Sequence, residues 1–163
     1  MQLKEAFIES IKENEGILFK ISKIYGKDLE DQKDLYQEIV YQSWHSYANF
    51  KGQSKFSTWL YKVGLNTAIS HLNQQKKKLG ESGFDQDILQ IIDEREQVLE
   101  ERSALLYHSI KQLNEVDKGI IFLFLEGKSY EEIASITALS VSNVGTRLGR
   151  IKNKLKELML KAQ

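Results

Sequence analysis

An all-α chain of two small helical domains is what this sequence predicts, on three observations. Its 163 residues contain no proline, so nothing fixes φ or removes a backbone donor inside a helix. Apolar residues recur at steps of three and four in stretch after stretch, the spacing of one helix face. Charge then divides a chain of zero formal net charge into basic, acidic and basic blocks. Ile39 to Gly80 holds six lysines and no acid; Glu81 to Arg102 holds eight acids against two arginines, net −6; Arg147 to Gln163 holds six basic residues and one acid, Glu157. Basic blocks are the electrostatic footprint of a polyanionic partner, and solvated helix faces are the plainer source of the same composition.

The elements follow in order. Residues 3–25 read as one helix, with Leu3, Phe7, Ile11, Leu18 and Ile21 near one face and Gly26 as its stop. A second helix runs from about Asp31 to Tyr47; Leu35, Ile39 and Trp44 join Tyr36, Val40 and Tyr47 on its apolar side, and Asp34, Gln37, Glu38 and Gln42 form a polar face. "NFKGQSKFS" is a loop carrying Gly52, with Ser57 as N-cap of a third helix from Thr58 to about Lys77. Its polar stripe is Lys62, Asn66, Ser70, Asn73 and Lys77. Residues 80–102, with two glycines and the acidic excess, read as a linker that partly folds near its end. Residues 103–113 look helical, and Asn114 caps a helix that carries the IIFLFL run and ends at Gly127.

"SYEE", Ser129 to Glu132, is a capping box: the Ser hydroxyl accepts the N–H of Glu132, and Glu132 reaches back to the N–H of Ser129. A turn at Ala138-Leu139 leads to a second N-cap, Ser140, and a last helix from about Val141 to Leu160. Val144, Leu148, Ile151, Leu155 and Leu158 face inward; Asn143, Arg147, Arg150 and Lys154 share the opposite side. This is helix-turn-helix form, with Ala134 as the small residue at the crossing. Ala138 stands where such turns want glycine, a departure that either costs about 1 kcal/mol or marks a slightly different turn. Asn143, Thr146, Arg147 and Arg150 are types that reach base edges and phosphates. An amphipathic hairpin with a solvated basic face is the competing reading.

The first basic block places Phe, Trp and Tyr among lysines, which suits single-stranded nucleic acid: lysines meet the backbone and a ring stacks on a base. Phe56, Trp59 and Leu60 sit where a helix buries them, so Phe50, in the loop beside Lys51 and Gly52, is the better candidate for touching a base. Asn66 offers two directional hydrogen bonds to a base edge; a solvated mid-helix Asn fits the spacing equally well.

Other classes fall away. The longest apolar run, Ile120 to Leu125, is six residues, too short for a bilayer, and the acids of MQLKEAFIESIKE do not suit a signal peptide; a cytoplasmic location is expected, without membrane insertion. Lack of cysteine excludes disulfides and thiol catalysis. His45, His71 and His108 show no metal-ligand spacing, and "GKS" at 127–129 lacks the upstream glycine of a phosphate loop because position 122 is Phe. No catalytic residue, metal or cofactor is expected, and the chain is not read as an enzyme.

"DLYQEIVYQSW", "FKGQSKFSTWLYKVGLNTAISHL" and "LNEVDKGIIFLFLEGKSYEEIASITALSVSNVGTRLGRIKNKL", in this order, resemble the signature stretches of bacterial RNA polymerase sigma factors of the extracytoplasmic function (ECF) group. The resemblance implies two all-helical domains, 1–79 and 103–163, joined by an acidic linker, 80–102. The first would bind the β′ clamp helices of core polymerase through Asp34, Gln37 and Glu38. It would also open the promoter −10 element, with Asn66 holding a flipped base, Phe50, Lys51 and Gly52 around it, and Lys62 and Ser70 on the same DNA surface. The second would read the −35 element through Asn143, Gly145, Thr146, Arg147 and Arg150, with Lys152 and Lys154 on phosphates. Partners implied are core RNA polymerase (β′ clamp helices and β flap), promoter DNA and, as an open question, an anti-sigma factor.

The sequence departs from the group's pattern at Asn73, where Arg is common, at Asn114-Glu115, where Pro is common, and in "VGTRLGR" at the start of the reading helix. Gly145 and Gly149 weaken that helix by roughly 1 kcal/mol each relative to Ala, and close backbone approach to DNA is a reason to keep them. A helix-turn-helix regulator that binds duplex DNA without core polymerase is the alternative.

Overall fold

The computed structural model describes residues 2–79 and 101–162, with side chains over 2–75 and 103–162. All regular structure in these segments is helical: α1 (Gln2–Glu13), α2 (Glu15–Tyr25), α3 (Leu29–Tyr47), α4 (Phe56–Leu79), α5 (Glu101–Lys111), α6 (Glu115–Leu125), α7 (Tyr130–Thr137) and α8 (Val141–Lys161). They gather into two units, Met1–Gln74 and Gln75–Gln163. The expected linker lies outside the described residues over 80–100, as does the side chain of Lys77.

In the first unit, the single helix expected over 3–25 is broken at Asn14, whose φ of −121° is not helical. Its N–H bonds three residues back to Ile11, and its Nδ2 donates to the Ser10 carbonyl at 2.8 Å. The side chain thus takes a carbonyl that the next helical turn would need, as Asn does at helix boundaries. The α2 helix stops at Gly26, whose backbone is extended at φ −77° and ψ 134°, and nothing larger fits there: a Cβ would lie 2.5 Å from Gln32 Cγ and 2.7 Å from the Ser22 carbonyl oxygen. The α3 helix starts two residues earlier than expected because Asp28 caps it, accepting the Asp31 N–H at 2.7 Å. Ser57 is not the N-cap of α4: the helix begins at Phe56, and the Trp59 N–H already bonds the Lys55 carbonyl at 3.1 Å. Leu18, Ile21, Leu35, Ile39 and Leu60 are fully buried. Gly64 lets α4 approach them, since a Cβ there would meet Ile21 Cδ1 at 2.8 Å. Phe7, Trp44, Tyr47, Phe50, Phe56 and Trp59 form a connected ring cluster with centroids 5.1–6.5 Å apart.

In the second unit, α6 is the central helix. Ile120, Ile121, Phe122 and Leu123 are all buried, so this stretch is covered on every side, and α5, α7 and α8 pack on the helix. That is why the sequence carries an unbroken apolar run there. The α5 helix ends at Lys111 rather than 113, its last turn tightened by Leu113 N–H to Ile110 carbonyl. Both partners of the Ser129 capping box are formed at 3.1 Å. Ser140 caps α8 through the Asn143 N–H at 3.0 Å. Ala138 ends α7 with φ 62° and ψ 26°, left-handed backbone that a Cβ makes costly. Ala138→Gly should therefore raise the stability of this unit by about 1 kcal/mol, checked by chemical denaturation with an unchanged m-value.

Candidate nucleic-acid interface

The α8 helix is built so that one side must face outward. Val144, Leu148, Ile151 and Leu155 are buried on the side that packs on α5, α6 and α7, which turns Asn143, Arg150 and Lys154 to solvent and leaves Arg147 about one-third exposed. The Ala138 turn and the two serine caps set the crossing of α7 and α8, which pack on each other, and Ala134 of α7 is buried. Thr146 is exposed, its hydroxyl donating to the Ser142 carbonyl at 3.1 Å. At Gly145 a Cβ would touch the Tyr130 ring at 3.5 Å, an ordinary contact, and at Gly149 it would meet nothing. Packing inside the unit therefore demands neither glycine. Lys152 stands apart from the stripe: its ammonium lies 4.3 Å from the Phe124 ring centroid, a cation–π contact. Lys152 lines an apolar groove of about 430 Å³ with Leu106, Phe124, Leu125, Met159 and Leu160; Leu125 and Leu160 are more than half exposed.

Arg147 is tethered. Its Nη1 donates to Asp117 Oδ1 at 3.3 Å, and its Nε donates to Asn143 Oδ1 at 3.3 Å. Sequence reasoning missed Asp117 because it belongs to another helix and carries the wrong sign for a DNA contact.

In the first unit, Lys62, Asn66 and Ser70 follow one another along the exposed face of α4. Asn66 and Ser70 line a polar cleft of about 490 Å³ between α3 and α4, together with Thr67, His71, Gln74, Glu38, Gln42 and Ser46. Two surfaces that the sequence kept separate meet here: Glu38 shares the cleft with Asn66, and Gln42 Nε2 donates to Glu38 Oε1 at 3.0 Å. Asp34 and Gln37 are exposed on α3, and neither lines the cleft. His71 closes one end, its Nε2 2.7 Å from Asp31 Oδ1, while Asp31 Oδ2 accepts the Lys27 N–H at 2.9 Å. That chain of contacts ties α4 to the first turn of α3. Periodicity pairs Asn66 with Ser70, but only packing brings Gln42, Ser46 and His71 beside them.

The loop residues are placed differently from one another. Lys51 and Gly52 are exposed, and Gly52 needs its glycine at φ 69°. Phe50 is half-buried, its ring 5.2 Å from Trp59 and 5.9 Å from Phe56.

Family comparison agrees with both units. Sigma-70 region 2 matches residues 11–78, from the end of α1 through nearly all of α4. Sigma-70 region 4 matches residues 103–155, from α5 through most of α8. The chain is 34% identical over 145 residues to the ECF RNA polymerase sigma-E factor of Haemophilus influenzae, covering 79% of this chain and 77% of that one. It is 31% identical over 140 residues to the RNA polymerase sigma factor YlaC of Bacillus subtilis, covering 83% and 81%. The chain belongs to the ECF sigma factors of RNA polymerase.

The fold agrees with that of two solved structures. CnrH, solved in complex with the cytosolic domain of CnrY, superposes with a TM-score of 0.68 at 22% identity, covering 98% of this chain and 90% of that one. RpoE of Bartonella quintana, solved with the anti-sigma factor NepR, gives 0.68 at 18%, covering 97% and 96%. Within this sigma factor, the outward stripe of α8 lies in the region 4 match, and the Asn66 cleft lies in the region 2 match. Among the described residues, no cluster of His, Asp or Glu has metal-binding form, and no helix is long and apolar enough to cross a membrane.

Proposed function

We propose that this sigma factor binds core RNA polymerase, reads the promoter −35 element with α8, and captures an unstacked −10 base beside Asn66 so that transcription can start. One observation carries the reading. A doubly capped helix-turn-helix turns Asn143, Arg147, Arg150 and Lys154 outward opposite a fully buried apolar stripe, the geometry of a helix that lies in a major groove. Asn143, Thr146, Arg147 and Arg150 are assigned to base edges and nearby phosphates, Gly145 to close backbone approach, and Lys154 to phosphate. Lys152 joins the phosphate contacts only by leaving the Phe124 ring. In the first unit, Asn66 takes the base, Lys62 and Ser70 flank it, and Phe50, Lys51 and Gly52 border it. Asp34, Gln37 and Glu38 meet the β′ clamp helices. The apolar groove around Leu125 and Leu160 suits the β flap or an anti-sigma factor. Residues 1–79 and 103–163 act as the two modules, with 80–102 as the linker.

Bond chemistry is assigned to the polymerase and none to this chain, which acts in the cytoplasm and needs no cofactor of its own. A regulator working without polymerase is not favoured, because the first unit matches sigma-70 region 2. Run-off transcription with purified core polymerase, followed by mapping of 5′ ends, tests the proposal. Defined start sites are expected, together with co-purification of the chain with core; failure of both refutes it. Promoter binding by the holoenzyme should also weaken linearly in log salt, by about 0.9 per phosphate neutralised, measured as equilibrium binding over a salt series.

A further inference from the structure

Asp117 is the third residue of α6, and its carboxylate is held from two sides. Its N–H donates to Asn114 Oδ1 at 2.9 Å, and Asn114 Nδ2 donates back to Asp117 Oδ2 at 3.0 Å. The other oxygen, Oδ1, accepts Arg147 Nη1 at 3.3 Å from a residue 30 positions along the chain. Asn143 Oδ1 holds Nε of the same guanidinium. A group with five N–H donors is thus fixed at two atoms by two helices, and among the described residues its remaining donors have no other partner.

Two consequences follow. An arginine already ordered loses less rotamer freedom when it binds. A carboxylate beside it also repels phosphate, so swinging Arg147 to the nearest backbone oxygen means leaving one anion for another while Asp117 stays unpaired. Base edges carry no formal charge and incur no such repulsion. We propose that Asp117 is a positioning residue for promoter specificity: it holds Arg147 on the base-reading face of α8 and away from the DNA backbone. The inference rests on the reading of α8 as the −35 helix.

The test uses the full chain assembled with core polymerase. Equilibrium binding is measured on a mapped promoter duplex and on every single-base −35 variant of it, over a salt series. Asp117→Asn should reduce discrimination at one −35 position by about tenfold, leaving the others unchanged. The salt slope should steepen by about one as the released guanidinium takes a phosphate. Asp117→Glu should restore the wild-type slope, and in an Arg147→Ala background Asp117→Asn should change neither quantity. A merely structural role would lower affinity on all variants together, with a lower melting midpoint and no steeper slope; that result overturns the proposal. So does intact discrimination in Asp117→Asn where Arg147→Ala loses it. If Arg147→Ala itself leaves discrimination untouched at every position, the reading of Arg147 fails first and the proposal falls with it.

Discussion

Arg147→Ala should weaken holoenzyme binding to the preferred −35 sequence by about 1–3 kcal/mol and relax selection at one base position. Among the described residues, the guanidinium is the only donor fork on the α8 stripe that the protein itself holds in place, through Asp117 Oδ1 and Asn143 Oδ1. Losing the partly exposed ion pair costs the fold no more than about 1 kcal/mol, so a melting curve separates that effect from lost recognition. Arg147→Lys sharpens the experiment. Lysine keeps the charge and loses the planar fork, so the salt slope should stay at the wild-type value while discrimination falls. Uniform loss on all −35 variants in Arg147→Ala, with Arg147→Lys fully active, would make Arg147 a phosphate contact and no more.

Much of this fold is legible in the sequence, and what is hidden has a common cause. The capping box, the Ser140 cap, the left-handed Ala138 and the buried stripe of α8 are local: each depends on residues within four positions of one another, where helical spacing governs geometry. The break at Asn14 is also local but concealed, because the apolar face continues from Ile11 to Leu18 across it. Periodicity reports which side is buried, not whether every backbone bond is made. The contacts missed altogether are those between helices. Asp117 reaches Arg147 over 30 residues, and His71 reaches Asp31 over 40; neither spacing has meaning until the helices pack. The same applies to Lys152, which by composition belongs with the basic residues of α8 and by packing sits against Phe124. Glu38 and Asn66 came from different motifs and line one cleft.

That cleft frames the second large effect. Asn66→Ala should reduce open-complex formation by a factor corresponding to about 1–3 kcal/mol, the value of a two-bond amide contact to a base edge. Formation of the closed complex through the −35 element should be unchanged. Asn66 is exposed in the middle of α4, and alanine there is the better helix former; a fall in opening therefore cannot come from a weakened helix. Unstacking a base costs a few kcal/mol, which only contacts made after unstacking can offset. Opening is followed by 2-aminopurine fluorescence on full-length promoter duplexes with the chain bound to core. An abasic nucleotide scanned through the non-template −10 strand then identifies the partner. At the position Asn66 serves, wild type and Asn66→Ala should open equally well, because the base that distinguishes them is gone. If the deficit persists with every abasic template, Asn66 grips the sugar-phosphate backbone or the cleft wall, and base capture must be sought elsewhere on α4 or in the Phe50–Gly52 loop.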